Sequence, residues 1–252
     1  MIELDTIYNC DCLQGMREIP DNSVDCCLTS PPYNFNLRIH YGKYGGRSIH
    51  DQNKYGSMFS DALSVEDYFD WQKKCIEEML RISKGLVFYN IQMITGNKAA
   101  LCMLLGHFND KVKDIMVWDK IHAEPAIRGG VLNSMFEFVI IFDKKNAISR
   151  QFDTFNAERG TFDNIIRIDK NHSKLDIKHK AMFPVVLPQT LIKNFTNENE
   201  SVCDPFIGSG TTAIAAIREK RHFIGFELNK EFYEKACERV RNEQAQLKMA
   251  ME

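Results

Sequence analysis

The sequence has no run of about 18 apolar residues, the length that a membrane-spanning helix requires. It also lacks the charged and then apolar beginning of a secretory signal peptide, so we expect a cytoplasmic location and no membrane partner. Neither sign of charge dominates, since 32 Lys and Arg stand against 34 Asp and Glu, a formal net charge of −2. Because a nucleic-acid footprint can be local, this balance neither supports nor excludes such a partner.

The eight cysteines lack the spacing of a disulfide framework or of a zinc site. Cys26 and Cys27 are adjacent within an apolar run, and one residue separates Cys10 from Cys12, which is not a zinc-binding spacing. We therefore expect reduced, mostly buried thiols and no metal. With 252 residues, of which 44% are hydrophobic, the chain can bury a proper core. That length suits one α/β domain with an insertion, or two small domains.

One stretch near the carboxyl end carries the clearest signal for a ligand site. A short apolar run, typical of a buried strand, reaches Cys203, residues 204–210 form a loop, and Thr211 begins a helix of small residues. Gly208 and Gly210 allow this loop to turn tightly and to approach a ligand closely. The pattern predicts a strand, a binding loop and a helix in succession.

The residues around this loop favour one kind of ligand. A phosphate-binding loop needs Gly-Lys-Ser/Thr, but no lysine lies between Asp204 and Ile217, and a dinucleotide loop needs a third glycine. Asp204 ends its strand where open α/β sheets bind ligands, and Glu227 follows in the next strand, where a carboxylate typically binds a ribose diol. The combination predicts a site for a nucleoside cofactor without a pyrophosphate. The alternative is a strand–helix turn with incidental glycines.

The second chemical signal is the turn Ser30-Pro31-Pro32-Tyr33, which follows a predicted strand at residues 24–29. The two prolines fix two φ angles and contribute carbonyls without competing N–H donors. The Ser30 hydroxyl and the Pro31 carbonyl can accept hydrogen bonds from an amino group, while Tyr33 can stack on a planar ring. The turn predicts a pocket for a planar group bearing NH₂, and a simple proline-rich turn is the alternative.

Predicted strands and helices alternate along most of the chain, which favours a mainly parallel sheet covered on both faces. Strands are predicted at residues 4–9, 24–29, 85–91, 112–118, 136–142, 202–203 and 222–229, and helices at residues 13–19, 64–82, 97–108, 184–195, 211–217 and 230–246. A loop is predicted at residues 119–133.

Two polar segments interrupt this alternation. Residues 35–62 are rich in glycine, tyrosine and cations, which is typical of a loop that closes over nucleic acid. Residues 143–180 are aperiodic, with nine Lys or Arg against six carboxylates, and they suit a target-reading insertion. For each segment the alternative is a surface connection without function.

Taken together, the motifs resemble the S-adenosylmethionine-dependent DNA amino-methyltransferases. The Ser-Pro-Pro-Tyr turn is similar to the family's catalytic motif, and residues 204–212 are similar to its cofactor motif. The match extends to residues 179–184 upstream and to residues 225–227 downstream. Because the catalytic motif comes first, the order resembles the circularly permuted beta class. The resemblance implies a Rossmann-like, doubly wound, mainly parallel α/β fold with a small insertion.

The resemblance also implies a role for each motif residue. It assigns catalysis to Ser30, Pro31, Pro32 and Tyr33, and cofactor binding to Asp11, Phe183, Asp204, Phe206, Gly208, Gly210, Thr211 and Glu227. Glu227 would take the ribose hydroxyls, and Asp11 would contact the adenine. It further implies a catalytic half at residues 1–142, a target-recognition insertion at 143–180 and a cofactor-binding half at 181–252.

The implied reaction is methyl transfer from S-adenosylmethionine to the exocyclic amino nitrogen of a flipped base in double-stranded DNA with a specific recognition site. Serine at the first catalytic position is commoner among cytosine N4 enzymes of the family, which favours cytosine over adenine N6. Methylation of RNA or of protein glutamine, and a DNA-binding module without catalysis, are remote alternatives. A homodimer and a cognate restriction endonuclease remain open as partners.

Overall fold

The computed structural model describes residues 2–34, 43–44, 47–48, 62–124, 130–169 and 184–251. The strands are β1 (Thr6–Tyr8), β2 (Cys26–Thr29), β3 (Lys43–Tyr44), β4 (Arg47–Ser48), β5 (Leu86–Ile91), β6 (Val112–Glu124), β7 (Ser134–Asp143), β8 (Ile165–Arg167), β9 (Ser201–Asp204) and β10 (His222–Phe226). The helices are α1 (Cys12–Arg17), α2 (Val65–Ile82), α3 (Lys98–His107), α4 (Val186–Phe195), α5 (Thr211–Arg218) and α6 (Lys230–Met251).

Eight of these strands form one sheet in the order β1-β10-β9-β2-β5-β7-β6-β8, while β3 and β4 pair separately. Within the sheet β7 runs antiparallel to both of its neighbours, and the other neighbouring pairs are parallel. The prediction of a mainly parallel α/β sheet is confirmed. The chain passes from β9 to β10 on one side and from β2 to β5 on the other. The direction of winding therefore reverses between β9 and β2, where open α/β sheets bind ligands.

Helices cover both faces of the sheet because its central strands are apolar on both sides. Along β5, Val87 and Tyr89 join the core cluster under α1, α2 and α3, whereas Phe88 joins the cluster under α4, α5 and α6. This alternation follows from the two-residue period of a strand. The result is a three-layer arrangement with the sheet in the middle.

Strands β3 and β4 lie within residues 35–62, where no strand was predicted, and two strands of the eight-stranded sheet also differ from the sequence prediction. β6 continues to Glu124, through residues predicted as a loop, because its backbone keeps pairing with β7 although its side chains become polar. The register shifts between Asp119 and Glu124, and Ile121 lies in the left-handed region with φ of 66°. The three-residue strand β8 was missed because it is too short to show a period, and it pairs with β6 at the sheet edge.

The described part of the predicted insertion, residues 143–169, packs onto the sheet layer through an aromatic cluster. The ring centroids of Phe152, Phe155 and Phe162 lie 4.9, 5.3 and 5.8 Å from that of Phe195 in α4. A cavity of about 360 Å³ adjoins this cluster, and its lining includes none of the predicted site residues. The rest of the insertion and most of residues 35–62 lie outside the described residues.

Three further features of the described residues concern their thiols, the character of their helices and their potential metal ligands. All eight cysteines lie within it as free thiols. Its helices do not combine the length and apolar character that a membrane crossing requires. Within the same residues, no group of His, Cys, Asp and Glu side chains is arranged to hold a metal ion.

Candidate active site

The two motifs follow adjacent strands. The turn of residues 30–33, called the catalytic turn after its predicted role, follows β2, and the glycine loop, residues 204–210, follows β9. Thr29, which immediately precedes Ser30, donates a hydrogen bond from Oγ1 to Asp204 Oδ1 at 2.6 Å. Asp204 is the last residue of β9 and opens the glycine loop. The residue that leads into one motif therefore contacts the first residue of the other, and the two motifs form a single site.

Asp204 lies beneath the glycine loop, with only 1% of its surface exposed. Its carboxylate also accepts hydrogen bonds from Thr212 Oγ1 at 2.5 Å and from the Phe206 backbone N–H at 3.0 Å. Burial raises the pKa of Asp204 to about 6, against the opposing effect of the bonds from Thr212, Thr29 and Phe206. The side chain thus holds together strand β2, the loop and the start of α5.

The glycine loop has the backbone shape that its sequence predicts. Gly208 and Gly210 lie in the left-handed region, with φ of 54° and 85°. A Cβ on Gly210 would come within 3.3 Å of Ala236 in α6, so close packing also requires glycine there. Phe206 and Gly208 are partly exposed, whereas Ile207 between them is buried. The loop therefore turns Phe206 and Gly208 outward. Thr211, predicted as a cofactor residue, is buried as the first residue of α5.

Glu227 follows β10, beside the glycine loop. Its Oε1 accepts a hydrogen bond from the Asn229 backbone N–H at 2.7 Å, and its carboxylate also accepts from the backbone of Gly208 and Leu228. Burial raises the pKa of Glu227, with a smaller contribution from the charge of Asp204. A carboxylate offers about four acceptor positions, so capacity remains here for a hydroxyl ligand.

Asp11 lies three residues beyond the end of β1, immediately before α1. Its Oδ1 caps α1 by accepting from the backbone N–H groups of Leu13 and Gln14 at 3.0 and 3.1 Å. Asn9 Nδ2 donates to the Glu227 backbone carbonyl at 2.8 Å, which holds this loop beside the end of β10. Asp11 and Glu227 therefore stand on neighbouring loops at one end of the sheet. Phe183 lies outside the described residues.

The catalytic turn is anchored from below by α2. Tyr68 is fully buried, and its hydroxyl donates to the Pro32 carbonyl at 2.7 Å. Pro31 and Pro32 are buried, while Ser30 and Tyr33 are partly exposed. The proline pair thus forms the fixed base of the turn and presents the two hydroxyl-bearing side chains at its surface.

Asn34 directly follows the turn and was not among the predicted site residues. It has a left-handed φ of 56° and is 1% exposed. Its Nδ2 donates to the carbonyls of Leu63 and Gly96 at 3.1 and 2.9 Å, and its Oδ1 accepts from the Leu63 backbone N–H at 2.8 Å. One side chain therefore joins the end of the catalytic turn to the point where the described chain resumes.

Trp71 of α2 was also missed. Its ring makes an edge contact with Phe206, at a centroid distance of 5.5 Å and an angle of 73°. Its position in the apolar stripe of α2 resembles that of a core residue, yet the side chain is only partly buried. The Trp71 ring therefore packs against the Phe206 ring of the glycine loop.

A hydrogen-bonded cluster lies behind Ser30. Ser30 Oγ is 2.8 Å from the Tyr33 hydroxyl, which donates to Glu137 Oε2 at 2.7 Å. Asn90 Nδ2 donates to the same Glu137 oxygen at 2.8 Å and to Tyr33 at 3.0 Å. Lys120 forms an ion pair with Glu137 Oε1 at 2.9 Å. The sequence did not reveal this cluster because Lys120 stands in a predicted loop and Glu137 in a predicted apolar strand.

Comparisons with known proteins agree with this geometry. The profile of a family described as DNA methylase, of the N6/N4 type, matches residues 24–238 and so spans both motifs. The orphan methyltransferase M.BamHII of Bacillus amyloliquefaciens is 41% identical over 90% of this chain and 92% of its own. The type II methyltransferase M.BglII of Bacillus subtilis is 26% identical over 91% of this chain and 67% of its own.

Two solved structures share the fold at lower identity. The PvuII DNA methyltransferase, named as cytosine-N4-specific, superposes with a TM-score of 0.71 at 19% identity, covering 94% of this chain and 86% of its own. M1.HpyAVI, solved as a complex with S-adenosylmethionine, gives a TM-score of 0.65 at 22% identity, covering 93% of this chain and 98% of its own.

Proposed function

The chain belongs to the N6/N4 family of DNA methylases and is an S-adenosylmethionine-dependent methyltransferase, and we propose that it methylates N4 of a flipped cytosine in double-stranded DNA. The observation that carries the proposal is the contact between Thr29 and Asp204. It places a loop suited to the cofactor and a turn suited to an amino group side by side, at the switch point of the sheet.

The ends of β1, β9 and β10 fit the cofactor. A Cβ on Gly208 would meet no atom closer than 3.9 Å, so the space outside this glycine is open. We assign the ribose hydroxyls to Glu227, the adenine to Asp11 and the methionine part to the loop from Asp204 to Gly210. Phe183, outside the described residues, is proposed to pack beside the cofactor. When bound, the cofactor supplies a methyl group activated by a sulfonium.

The catalytic turn provides the chemistry for the acceptor. An exocyclic amino nitrogen is a poor nucleophile because its lone pair is delocalised into the ring. The Ser30 hydroxyl and the Pro31 carbonyl accept hydrogen bonds from the two N–H groups of this nitrogen. These bonds favour a pyramidal nitrogen, whose lone pair points at the methyl group. Transfer is then direct and in line, without a covalent enzyme intermediate. Catalysis rests on positioning and on aimed dipoles.

The target base must leave the duplex to reach this turn, and the partly exposed ring of Tyr33 serves as its stacking surface. We assign contacts with the DNA to residues 35–62 and to the insertion at 143–180. Because Phe152, Phe155 and Phe162 tie the described part of the insertion to Phe195 of α4, we assign the reading of the recognition sequence chiefly to residues 170–180.

The choice of base follows from Ser30. Serine at this position favours cytosine N4 within the family, whereas the amino group of adenine offers Ser30 the same donor geometry. We therefore retain adenine N6 as the second candidate. Similarity to type II enzymes supports pairing with a restriction endonuclease, whereas the orphan name of the 41% identical relative supports independent action. A homodimer is a separate proposal, which sedimentation would test.

One experiment tests the reaction and the base together. The protein is incubated with genomic DNA and methyl-labelled S-adenosylmethionine, and the DNA is digested to nucleosides for mass spectrometry. We expect labelled N4-methylcytosine. Labelled N6-methyladenine would replace the proposed base, and label only in RNA or protein would overturn the DNA assignment. Tyr33→Ala should remove most of the transfer while leaving cofactor affinity nearly unchanged, because its proposed role is base stacking.

A further inference from the structure

The ion pair of Lys120 and Glu137 occupies an unusual place. Lys120 is 3% exposed and Glu137 is 7% exposed, and the two side chains come from the neighbouring strands β6 and β7. Burying two charges carries a desolvation cost that a surface pair avoids. Glu137 also contacts Tyr33 of the catalytic turn. A buried carboxylate that accepts a hydrogen bond from a proposed catalytic side chain is a candidate for a role in the reaction.

The hydrogen atoms in this cluster can be assigned from chemistry alone. An ionised carboxylate only accepts, so the single hydroxyl hydrogen of Tyr33 points at Glu137 Oε2. The Tyr33 oxygen must then accept from Ser30, which lies 2.8 Å away. The Ser30 hydrogen is directed inward, and lone pairs on Ser30 Oγ are available to an amino group in the cleft. The two hydroxyls form a directed chain that ends at Glu137.

Asn90 fixes the direction of this chain. Its Nδ2 donates to Glu137 Oε2 at 2.8 Å and to Tyr33 at 3.0 Å, and it lies 3.4 Å from Ser30 Oγ. Because the carboxylate cannot donate, the amide of Asn90 cannot be turned around without placing two acceptors face to face. Its Oδ1 accordingly faces away, and it accepts no bond from the described residues.

We propose that Glu137 is the terminal proton acceptor of methyl transfer, reached from the target amino nitrogen through the hydroxyls of Ser30 and Tyr33. This inference rests on the proposed function. As the N–C bond forms, the C–S bond breaks with its electron pair on sulfur, and the nitrogen becomes positively charged. One proton moves from nitrogen to Ser30 Oγ, the Ser30 proton moves to the Tyr33 oxygen, and the Tyr33 proton moves to Glu137 Oε2. The products are a neutral methylated amine and a neutral carboxylic acid, which returns its proton to solvent.

The direction of this transfer follows from acidity. A methylated, positively charged ring amine is a much stronger acid than a carboxylic acid, so proton movement to Glu137 is downhill. The hydroxyl of Ser30 is too weak a base to keep the proton itself. Lys120 pairs with the other oxygen of Glu137, Oε1, at 2.9 Å, which leaves Oε2 to accept from Tyr33. Asp204 accepts hydrogen bonds from Thr29, Thr212 and Phe206 and takes no part in the hydrogen-bond chain from Ser30 to Glu137.

Two substitutions interrupt the chain at different links. Tyr33→Phe keeps the stacking ring and removes the hydroxyl, whereas Glu137→Gln keeps a hydrogen-bond acceptor and removes the basic group. Because Glu137→Gln leaves the Lys120 charge without its carboxylate, the double variant Lys120→Met/Glu137→Gln removes both charges together. Each protein is tested for folding by thermal denaturation, for affinity toward S-adenosylmethionine and toward DNA, and for the single-turnover rate in H₂O and D₂O.

We expect Tyr33→Phe and Lys120→Met/Glu137→Gln each to lower the single-turnover rate by about 100-fold or more, the usual contribution of general acid–base catalysis. Both affinities should stay within about twofold of wild type. Combining Tyr33→Phe with Glu137→Gln should lower the rate little further, because both substitutions interrupt the same proton path. Infrared difference spectra of a single turnover should show a carboxylic acid band in wild type that Glu137→Gln lacks.

The opposite results separate the two proposals. If Lys120→Met/Glu137→Gln folds and transfers methyl groups within about twofold of the wild-type rate, Glu137 is structural and this inference is wrong. Independent, multiplicative losses for Tyr33→Phe and Glu137→Gln would also contradict a shared proton path. If wild type itself methylates no amino group of DNA, the proposed function fails instead.

Discussion

Thr29 Oγ1 lies 2.6 Å from Asp204 Oδ1, and this bond joins the strand that carries Ser30 to the strand that carries the glycine loop. Both groups are almost fully buried. A carboxylate in such surroundings depends on its donors, because no water replaces a bond that is lost. The paired register of β2 and β9 runs to Cys27 and Cys203, and this side-chain bond joins the two strands beyond it, where the catalytic turn and the cofactor loop begin.

Replacing Thr29 with valine keeps the shape of the side chain and removes this donor. We expect Thr29→Val to lower the free energy of unfolding by about 1–3 kcal/mol, the cost of leaving a buried acceptor without its bond. Cofactor affinity should fall with it. Urea unfolding and calorimetric binding measure the two effects.

A matched control is Thr190→Val, because the Thr190 hydroxyl donates to the Val186 carbonyl within the same helix, α4. This change should alter stability by no more than about 0.5 kcal/mol. Equal effects of the two substitutions would show that the contact between Thr29 and Asp204 has no special importance.

Asp204 should also make stability depend on pH in an unusual direction. Burial raises its pKa in the folded protein from the ordinary 3.8 to about 6, so the folded state binds the proton more tightly than the unfolded state. The stabilising contribution is complete below pH 3.8 and is lost as pH rises through 6. A difference of about 2 pKa units corresponds to about 3 kcal/mol.

Asparagine cannot ionise, so Asp204→Asn should not show this loss. We expect the stability of wild type relative to Asp204→Asn to fall by about 2.5 kcal/mol between pH 4 and pH 7. Urea unfolding of both proteins across this range measures the difference, and the other titrating groups cancel in the comparison. A constant difference across the range would mean that the pKa of Asp204 is the same in the folded and unfolded states.

The sequence predicted the elements that depend on local pattern. The apolar run before Asp204 and the glycines after it indicated a strand and a loop, and the helix predicted at residues 64–82 is α2, whose N-cap Ser64 accepts from the Asp67 backbone N–H. Such features follow from residue periodicity and backbone freedom, which can be read from neighbouring positions.

The contacts between distant residues could not be predicted in this way. The bond from Thr29 to Asp204 depends on β2 and β9 being neighbours, which is a property of strand order. Lys120 and Glu137 meet only because β6 continues its pairing with β7 past the apolar segment. A lysine in a polar stretch and a glutamate in an apolar strand are each unremarkable until the sheet places them together.

Asn34 should prove important for the shape of the catalytic turn. Asn34→Gly keeps access to the left-handed backbone but loses three hydrogen bonds, so we expect a cost of about 2–3 kcal/mol. Asn34→Ala should cost about 1 kcal/mol more, since alanine resists a positive φ. Urea unfolding gives both values, and the rate of methyl transfer should fall for both.

Asn22 provides the control for this change. It has a similar φ of 53° but is exposed, so Asn22→Gly should change stability by less than about 0.5 kcal/mol. If Asn34→Gly were equally harmless, the bonds to Leu63 and Gly96 would contribute nothing to the turn.

Gly225 is the ladder partner of Asp204 in β10, and it limits the space beneath the glycine loop. A Cβ at this position would lie 2.2 Å from Ile207 Cδ1 and 3.1 Å from Ile207 Cβ, so Gly225→Ala must push Ile207 aside. We expect a loss of about 1–3 kcal/mol in the free energy of unfolding, the usual cost of overpacking, together with weaker cofactor binding. Gly106→Ala is the control, because a Cβ on this exposed residue of α3 meets nothing within 4 Å and should stabilise the helix by up to about 1 kcal/mol. Adding Ile207→Val to Gly225→Ala removes the closest atom and should restore part of the cofactor affinity, whereas a Gly225→Ala protein that binds the cofactor as wild type does would show that the loop can shift without consequence.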